Sequence, residues 1–438
     1  MRLTIVGGGG FRVPLVHAAL LADDLIDELV LLDTDAARLA VIDWVLTAQA
    51  GPDARLRHRT STDPATALEG ADFVFSALRA GGVSGRVRDE QIAASHGVIG
   101  QETVGAGGIA YALRSIPASL RLARVVAGVA PEAWFINFTN PAGMVTEALA
   151  SVHPRVIGIC DSPIALARRA MLAGGLDPAH TALDYVGLNH LGWLTGLRSN
   201  GVDHLPALIA DRHALASFEE GRLFGPDLIA DLGALPNEYL HWFYFRREAL
   251  AANTAGRGAF LAAQQNRFYS DCRSEPAAAL AAWQATRLER EQTYGAANRA
   301  AAGGFERAEA DLTSGGYEGV ALAIMRAVAR DEPAMLILNT PNAGRLAELP
   351  DDAVIEAPCV VDGRGIRPSP LGPLPAYARG LVTTVKQVER WTIEAATTGS
   401  ARAARLALTH HPLVDSARVA AALLSDYRAA FPELGYLL

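Results

Sequence analysis

Lysine is almost absent from this chain, and its scarcity excludes several kinds of chemistry. Lys386 is the single lysine among 438 residues. A Schiff-base enzyme, a Walker-type phosphate loop or a lysine-assisted dehydrogenase would each depend on that one side chain near the C-terminal end. The arginines are scattered among carboxylates, and the net charge is −8. Because no basic block marks a nucleic-acid or membrane surface, we expect a small-molecule substrate.

Cysteines and long apolar runs are also scarce. Cys160, Cys272 and Cys359 have no paired spacing, so each is predicted to be a reduced thiol. No apolar run approaches the length of a membrane span. The apolar residues 3–6 stand where a signal peptide would be, so a cytoplasmic protein is expected. At this length and with 50% hydrophobic residues, the composition predicts two packed globular domains.

The amino-terminal pattern is that of a dinucleotide-binding fold. The apolar residues 3–6 are followed by a glycine turn, a segment with helical spacing over 13–21, and a second apolar run that ends in Asp33. A carboxylate at this distance hydrogen-bonds the adenosine ribose, which favours NAD over NADP. The glycine turn alone is weak evidence, because Arg12 occupies the third glycine position of the motif. The predicted cofactor-binding residues are Gly7, Gly8, Gly9, Gly10, Phe11 and Asp33.

Further buried strands are predicted at 72–77, 134–137 and 156–159, and they alternate with helical stretches. This is the pattern of a doubly wound parallel sheet, whose carboxyl ends carry the site. Two glycine-containing segments, 79–90 and 100–108, are predicted to be loops. The first contains arginines, whose planar forks suit an anionic substrate, although a solvated loop is the commoner explanation for any one arginine.

Two polar groups interrupt buried segments further along the chain. Cys160 and Asp161 end the strand at 156–159, and His190 follows Asn189 between apolar residues. A thiol and an imidazole are typical of a soft metal site, or of a site for proton transfer. A lone cysteine that ends a buried strand is more often a small core residue. The dinucleotide pattern upstream favours the metal hypothesis.

Taken in order, these pieces resemble glycoside hydrolase family 4. The glycine turn and residues 100–103, 137–143, 160–163, 187–190 and 357–362 carry the resemblance. Pattern and resemblance together predict an α/β protein with a doubly wound Rossmann-type parallel sheet, like that of lactate and malate dehydrogenases, and a closely packed C-terminal α+β domain. The predicted domains are 1–165 for NAD binding and 166–438 for substrate binding, catalysis and oligomerisation, in a homodimer or homotetramer.

The resemblance implies hydrolysis of 6-phosphoglycosides with NAD and a divalent metal, usually Mn²⁺. Family members oxidise the sugar at carbon 3, remove the proton on carbon 2 with help from the metal, and eliminate the aglycone; they are exceptions to the two-carboxylate mechanism. The wider sequence is more similar to 6-phospho-β-glucosidases. A 6-phospho-α-glucosidase is the alternative, because Asp161 stands where many β-specific members have asparagine and some α-specific members have aspartate.

The resemblance also implies roles for individual residues. Cys160 and His190 match the metal ligands. Tyr239 matches the base, with Tyr244 as the alternative because several aromatic residues stand together here. Asp161 matches a position from which a carboxylate protonates the leaving oxygen or orients the sugar. The positions that hold the phosphorylated sugar are matched by Arg86, Asn140 and Arg257.

Two other functions fit the same residues. In an NAD-dependent 2-hydroxy-acid dehydrogenase of the lactate or malate type, His190 would be the acid-base group, Asp161 would orient it, and Arg86 would bind a carboxylate. Such an enzyme would not need the long second half, would ignore chelators and would accumulate NADH. A non-enzymatic NAD sensor would bind the cofactor without turnover.

Overall fold

One mixed sheet runs through the protein. The computed structural model describes residues 1–52, 54–252, 256–306 and 316–438. In these ranges thirteen strands belong to the sheet: β1 (Arg2–Val6), β2 (Glu28–Leu32), β3 (Arg57–Ser61), β4 (Phe73–Ser76), β5 (Trp134–Asn137), β6 (Val156–Ile159), β7 (Ala182–Leu188), β8 (Leu191–Ser199), β9 (Val202–Asp203), β10 (Leu235–Pro236), β11 (Ala334–Pro341), β12 (Val354–Asp362) and β13 (Gly365–Pro368).

The six strands nearest the amino terminus are parallel. They run in the order β3-β2-β1-β4-β5-β6, which is the order of a dinucleotide-binding sheet. The predicted Rossmann-type fold class is therefore confirmed. β3 was not predicted, because its sequence Arg-His-Arg-Thr-Ser has no apolar residue. It is the edge strand, and partial exposure there removes the need for an apolar pattern.

The sheet continues beyond β6 with antiparallel strands. β11 pairs with β6, and β12, β7, β8 and β10 follow outward, with β13 beside β12 and β9 beside β8. The C-terminal part of the chain thus extends the same sheet instead of forming a separate one. The predicted division after residue 165 falls inside a helix, α7 (Ser162–Ala173), and stays a prediction.

Helices cover both faces of the parallel strands. Along β1 and β4, Val6 and Val74 face one core while Ile5 and Phe75 face the other, as the two-residue period of a strand requires. The first core is covered by α3 (Pro64–Leu68), α5 (Gly105–Val129), α6 (Ala142–Ala150), α18 (Ala376–Thr398), α19 (Ala401–His410) and α20 (Ala417–Ala430). The second core is covered by α1 (Val13–Leu21), α2 (Ala36–Ala50), α14 (Arg257–Ser274), α15 (Ala279–Gln292) and α17 (Tyr317–Arg330).

The remaining helices surround the site or the antiparallel strands. They are α4 (Gly82–Ser95), α8 (Leu205–Ala210), α9 (Arg212–Leu215), α10 (Glu219–Phe224), α11 (Pro226–Leu232), α12 (His241–Tyr244), α13 (Arg246–Ala252) and α16 (Ala296–Ala301). Short 3₁₀ turns occur at Pro178–His180, Glu238–Leu240, Pro276–Ala278 and Pro432–Leu434.

Two segments that were predicted to be loops are partly helical, so that prediction was wrong for them. Most of 79–90 belongs to α4, and α5 begins inside 100–108. The prediction failed because glycine was interpreted as a sign of a loop, whereas these glycines allow close packing against a helix. A Cβ on Gly107 would lie 2.2 Å from the carbonyl oxygen of Gln101, and one on Gly108 would lie 2.6 Å from the carbonyl of Thr103. Because these glycines have no side chain, the residues before α5 can pack directly onto the first turn of that helix.

The predictions about the cysteines, the membrane, the location and the assembly have separate outcomes. The three cysteines are free, as predicted, and all three are buried. Among the described residues, no helix is long and apolar enough to cross a membrane. The cytoplasmic location and the homodimer or homotetramer stay predictions. Thr254 and Ala255, which precede the predicted substrate residue Arg257, lie outside the described residues, and Arg257 begins α14.

His411 links the C-terminal helices to the start of α5 and should make stability depend on pH. The backbone N–H groups of Gly105 and Leu413 point at its two ring nitrogens, at 3.2 and 3.1 Å. Burial, and then the charge of Arg246, lower the pKa of His411 from 6.5 to about 3. The unfolded chain therefore binds this proton below pH 6.5 and the folded chain does not until about pH 3, so stability falls as pH falls through this window.

We expect His411→Gln to remove part of that pH dependence. A single group that is charged only in the unfolded state changes the free energy of unfolding by about 1.4 kcal/mol per pH unit. Denaturant unfolding of wild type and His411→Gln between about pH 4 and 6.5 should show a shallower slope for the variant, whatever its stability at neutral pH. Identical slopes would mean that His411 does not titrate as the structure requires.

Candidate active site

Two cavities meet at the carboxyl ends of the parallel strands. One, of about 430 Å³, lies beyond β6 and beside the turn between β7 and β8. The other, of about 770 Å³, lies beyond β1 and β2. Five residues line both cavities and so mark their junction: Arg12, Arg79, Phe138, Asn140 and Arg290. The two cavities are therefore direct neighbours.

The larger cavity is formed around the glycine turn. Gly7 has φ +84°, and a Cβ there would lie 2.8 Å from the carbonyl oxygen of Ala77. The backbone N–H of Gly9 donates to Oδ2 of Asp33 at 3.0 Å. Gly8 packs beneath the turn against Leu31. The other predicted cofactor residues line the cavity: Gly7, Gly9, Gly10, Phe11 and Asp33. A tight turn with a carboxylate at the end of β2 fits a dinucleotide.

Cys160 lies at the end of β6, where its thiol lines the smaller cavity. Its Sγ is 3.3 Å from Oγ of Ser162, which accepts a hydrogen bond from Nδ2 of Asn237 at 2.9 Å. The Ser162 proton is therefore free to point at the sulfur. Burial, and then the charges of Glu356 and Asp161, raise the pKa of the Cys160 thiol well above its ordinary value. A nearby divalent cation is the kind of charge that reverses such a shift.

His190 occupies the two-residue turn between β7 and β8, because Leu188 pairs with Leu191. Its φ of 61° is unusual for a residue other than glycine, and such conformations cluster at functional sites. His190 is 4% exposed, and its Nδ1 lies 2.9 Å from Oγ1 of Thr103. Burial lowers the pKa of His190 to about 3. The imidazole is therefore neutral at neutral pH, which is the form that binds a metal.

Of the two candidate tyrosines, Tyr239 lines the smaller cavity. Its ring stacks on the His190 ring with centroids 3.6 Å apart and planes 4° from parallel. Tyr244 instead accepts a hydrogen bond from Nε1 of Trp193 at 3.3 Å and packs against Phe224 in the core of the C-terminal half. The structure thus brings Tyr239, and not Tyr244, next to His190.

The hydroxyl group of Tyr239 is connected to Glu238 through the hydroxyl group of Tyr294. Its Oη lies 3.4 Å from Oη of Tyr294, which donates to Oε1 of Glu238 at 2.8 Å. Burial, and then the charge of Glu238, raise the pKa of Tyr239. Burial and the neighbouring Glu219 raise the pKa of Glu238 to about 8. The protein by itself therefore keeps Tyr239 protonated, and a base at this position needs a positive charge close by.

Arginines surround the same cavity. Arg86 donates to Oε1 of Glu90 at 2.7 Å and to Oε2 of Glu102 at 2.5 Å, and Arg79 pairs with the other oxygen of Glu102. Arg257 donates to the carbonyl oxygens of two residues, Thr293 and Arg290. The predicted substrate residues Arg86, Asn140 and Arg257, and also Asp161, all line this cavity. The structure thus brings the predicted substrate, metal and catalytic residues together.

Comparison with known protein families decides the class of this site. The model described as family 4 glycosyl hydrolase matches residues 2–175, and the model described as its C-terminal domain matches residues 185–414.

The chain belongs to glycosyl hydrolase family 4.

Its family 4 relatives include enzymes for both anomers. It is 32% identical to a probable 6-phospho-β-glucosidase of Bacillus subtilis, over 85% of this chain and 82% of that protein. It is 29% identical to the 6-phospho-α-glucosidase of Leptotrichia buccalis, over 97% and 96%. Its fold matches the Thermotoga maritima 6-phospho-β-glucosidase solved with manganese, NAD⁺ and glucose 6-phosphate, with a TM-score of 0.80, 27% identity and 99% of each chain covered. Family membership confirms the predicted glycoside hydrolase and argues against a hydroxy-acid dehydrogenase.

The side chains of this cavity include groups that are suited to bind a divalent metal. Within the described residues, no group of three or more His, Cys, Asp or Glu side chains is arranged to hold an ion. Cys160 and His190 nevertheless line one cavity, and the Oδ1 of Asn140 is buried there without a hydrogen-bond partner in the described parts of the chain. If this thiol and this imidazole bound an ion, coordination positions would stay open for substrate oxygens, as in catalytic metal sites.

Arg290 is a site residue that sequence reasoning missed. Its Nε and Nη1 are buried without a hydrogen-bond partner, and it makes no ion pair with any residue of the described ranges. Burial, and then the charges of Arg12 and Arg257, lower the pKa of Arg290 well below its ordinary value. An anion at the junction of the cavities would relieve that cost. Arg290 lies in the last turn of α15, an alanine-rich helix, where nothing in the local sequence distinguishes it from a surface arginine.

Proposed function

We propose that this chain hydrolyses 6-phosphoglycosides, and 6-phospho-β-glucosides in particular. One observation carries the proposal: the cavity lined by Cys160, His190 and Tyr239 is bordered by arginines and shares five lining residues with the dinucleotide cavity. A sugar phosphate in the smaller cavity would therefore lie beside the nicotinamide end of a cofactor in the larger one. The relatives named above support the substrate class, since they are 6-phosphoglucosidases.

We propose NAD and Mn²⁺ as the cofactors. The glycine turn and Asp33 fit the dinucleotide, and Cys160 with His190 would hold the ion. When bound, NAD accepts hydride from carbon 3 of the sugar and returns it at the end of the cycle, and the ion supplies positive charge opposite the developing anion. Placement of both on this chain rests on the lining of the two cavities and on the Thermotoga maritima enzyme, whose structure holds manganese and NAD⁺.

The chain's own residues then have defined tasks. Tyr239 takes the proton from carbon 2 of the oxidised sugar, since it lies against His190 and so next to the proposed ion. The aglycone oxygen leaves by elimination, and Asp161 donates the proton that this oxygen needs. Water adds to the unsaturated sugar before hydride returns, so the net reaction is hydrolysis without consumption of NAD.

The arginines and Asn140 hold the sugar. A guanidinium presents two parallel N–H donors to a phosphate, and Arg257 and Arg290 would use this geometry for the 6-phosphate. Arg86 is held in place by Glu90 and Glu102, which fixes one side of the same pocket. The unpartnered Oδ1 of Asn140 would accept a hydrogen bond from a sugar hydroxyl, which satisfies a buried acceptor that otherwise costs free energy.

A panel of four substrates tests this function. Purified protein with NAD, Mn²⁺ and a reductant should release nitrophenol from para-nitrophenyl β-glucoside 6-phosphate, more slowly from the α-anomer, and least from the two unphosphorylated glucosides. Faster release from the α-anomer would change the anomeric assignment and leave the class intact. Release from none of the four, or bound NADH without turnover, would contradict the proposed activity.

Arg290→Met should lower kcat/KM for the phosphorylated substrate by about 10- to 100-fold, the effect of losing one charge-assisted contact of about 1.5–3 kcal/mol. The unphosphorylated glucoside should change by less than about threefold. Arg287→Met is the matched control, because Arg287 lies one turn earlier on α15 and packs over the ring of Trp283. Equal losses for both substrates would show that Arg290 supports the fold and not the phosphate.

A further inference from the structure

Behind His190 a short hydrogen-bond chain fixes where its proton lies. The chain starts at Gln101, in the segment that leads into α5. Oε1 of Gln101 accepts from the backbone N–H groups of Thr103 at 2.5 Å and Val104 at 2.8 Å. These two donors identify Oε1 as the oxygen of the amide, since an NH₂ group at that position would face both N–H groups.

The hydroxyl of Thr103 transmits that assignment to His190. Oγ1 of Thr103 lies 3.1 Å from Oε1 of Gln101, which can only accept, so the hydroxyl proton points at Gln101. The same Oγ1 lies 2.9 Å from Nδ1 of His190 and, with its proton directed at Gln101, is placed to accept there. His190 then carries its proton on Nδ1. The opposite assignment would leave two acceptor oxygens 3.1 Å apart with no proton between them.

The surrounding residues hold this series of hydrogen bonds rigidly. Thr103 is 7% exposed, and its segment packs onto the first turn of α5 at Gly107 and Gly108, where a Cβ would collide with the backbone of Gln101 or Thr103. On the other side, the His190 ring is clamped by the Tyr239 ring. The imidazole can therefore neither rotate freely nor exchange its partner with solvent.

We propose that Thr103 is a positioning residue that holds His190 as the Nδ1–H tautomer and leaves the lone pair of Nε2 for the metal. The inference rests on the proposed function, in which His190 is a ligand. A neutral imidazole has one unprotonated nitrogen, so the tautomer decides whether Nε2 can bind an ion at all. Partners behind a metal ligand typically change metal affinity by 10- to 100-fold when they are removed.

Thr103→Val and Thr103→Ser form a matched pair for the test. Valine keeps the shape and loses the hydroxyl, whereas serine keeps the hydroxyl and loses a methyl group. We expect Mn²⁺ to bind 10- to 100-fold more weakly to Thr103→Val and within about threefold of wild type to Thr103→Ser, as measured by calorimetric titration. NAD affinity should be unchanged in both variants, which checks that each one folds.

A spectroscopic measurement on metal-free protein gives an independent readout. With ¹⁵N-labelled histidine, the His190 resonances, assigned by their loss in His190→Ala, should report the Nδ1–H tautomer in wild type and a mixture of tautomers in Thr103→Val. The Nε2–H tautomer in wild type, or equal Mn²⁺ affinities for Thr103→Val and wild type, would overturn the inference. Equal weakening by valine and serine would overturn it too, because packing would then be the cause. If His190→Ala binds Mn²⁺ as tightly as wild type, the proposed metal site itself is wrong.

Discussion

Cys160→Ser is expected to weaken Mn²⁺ binding by at least about 100-fold and to lower glycosidase activity with it, while NAD affinity stays within about twofold of wild type. A serine hydroxyl does not ionise near neutral pH, so a charged sulfur ligand is replaced by a neutral oxygen. The glycine turn and Asp33, in the other cavity, are untouched. Titration of metal-free protein with Mn²⁺, and separately with NAD, measures the two affinities.

Cys272→Ser is the control for that experiment. Cys272 is also a buried free thiol, but it lies in α14 within the core beneath the parallel sheet. Its replacement should affect stability and leave Mn²⁺ affinity unchanged. If Cys160→Ser lost NAD and Mn²⁺ affinity equally, the thiol at position 160 would be a packing residue, and the metal would have to be held elsewhere.

Tyr239→Phe is expected to lower kcat by about 10²–10⁴-fold, the usual contribution of a general base. Phenylalanine keeps the ring that stacks on His190, so Mn²⁺ and substrate affinities should change little. Exchange of the carbon 2 proton with deuterated water is a direct readout, because it follows the step in which the base acts. The variant should lose exchange in the same proportion as it loses turnover.

Tyr244→Phe separates the two candidate tyrosines. It removes one hydrogen bond from Nε1 of Trp193 in a core and should change kcat by less than about threefold. A larger loss of kcat in Tyr244→Phe than in Tyr239→Phe would reverse the assignment. Slowed turnover with normal exchange in Tyr239→Phe would mean that another group removes the proton.

The sequence predicted the parallel half of the fold well because each of its buried strands is a short apolar run with a polar residue at its end. The limits of α1, 13–21, and of β5, 134–137, were predicted to the residue. Elements whose sequence does not reflect their surroundings were missed. β3 is polar because it is an edge strand, and α4 and the start of α5 contain glycines that serve packing.

The candidate site was predictable only where a residue stands in a recognisable local pattern. Cys160 ends a buried strand, His190 occupies a turn, and Asp33 follows the second strand, so each has a local signal. Arg290 has none. Thr103 lies in residues 100–103, which carry the family resemblance, but no role was predicted for it. Arg290 belongs to the site because α15 packs beside the glycine turn, where Nε1 of Trp283 donates to the carbonyl oxygen of Phe11 at 2.8 Å. Such tertiary contacts cannot be derived from one sequence.

One time course tests the central claim, that hydrolysis proceeds through NAD and a metal held in one continuous site. Protein with NAD, Mn²⁺ and para-nitrophenyl β-glucoside 6-phosphate is followed at once for nitrophenolate and for NADH. The account predicts many turnovers of nitrophenolate with no net NADH, and release that stops when EDTA is added or NAD is left out. Steady accumulation of NADH, or release that continues without NAD and with EDTA present, would contradict it.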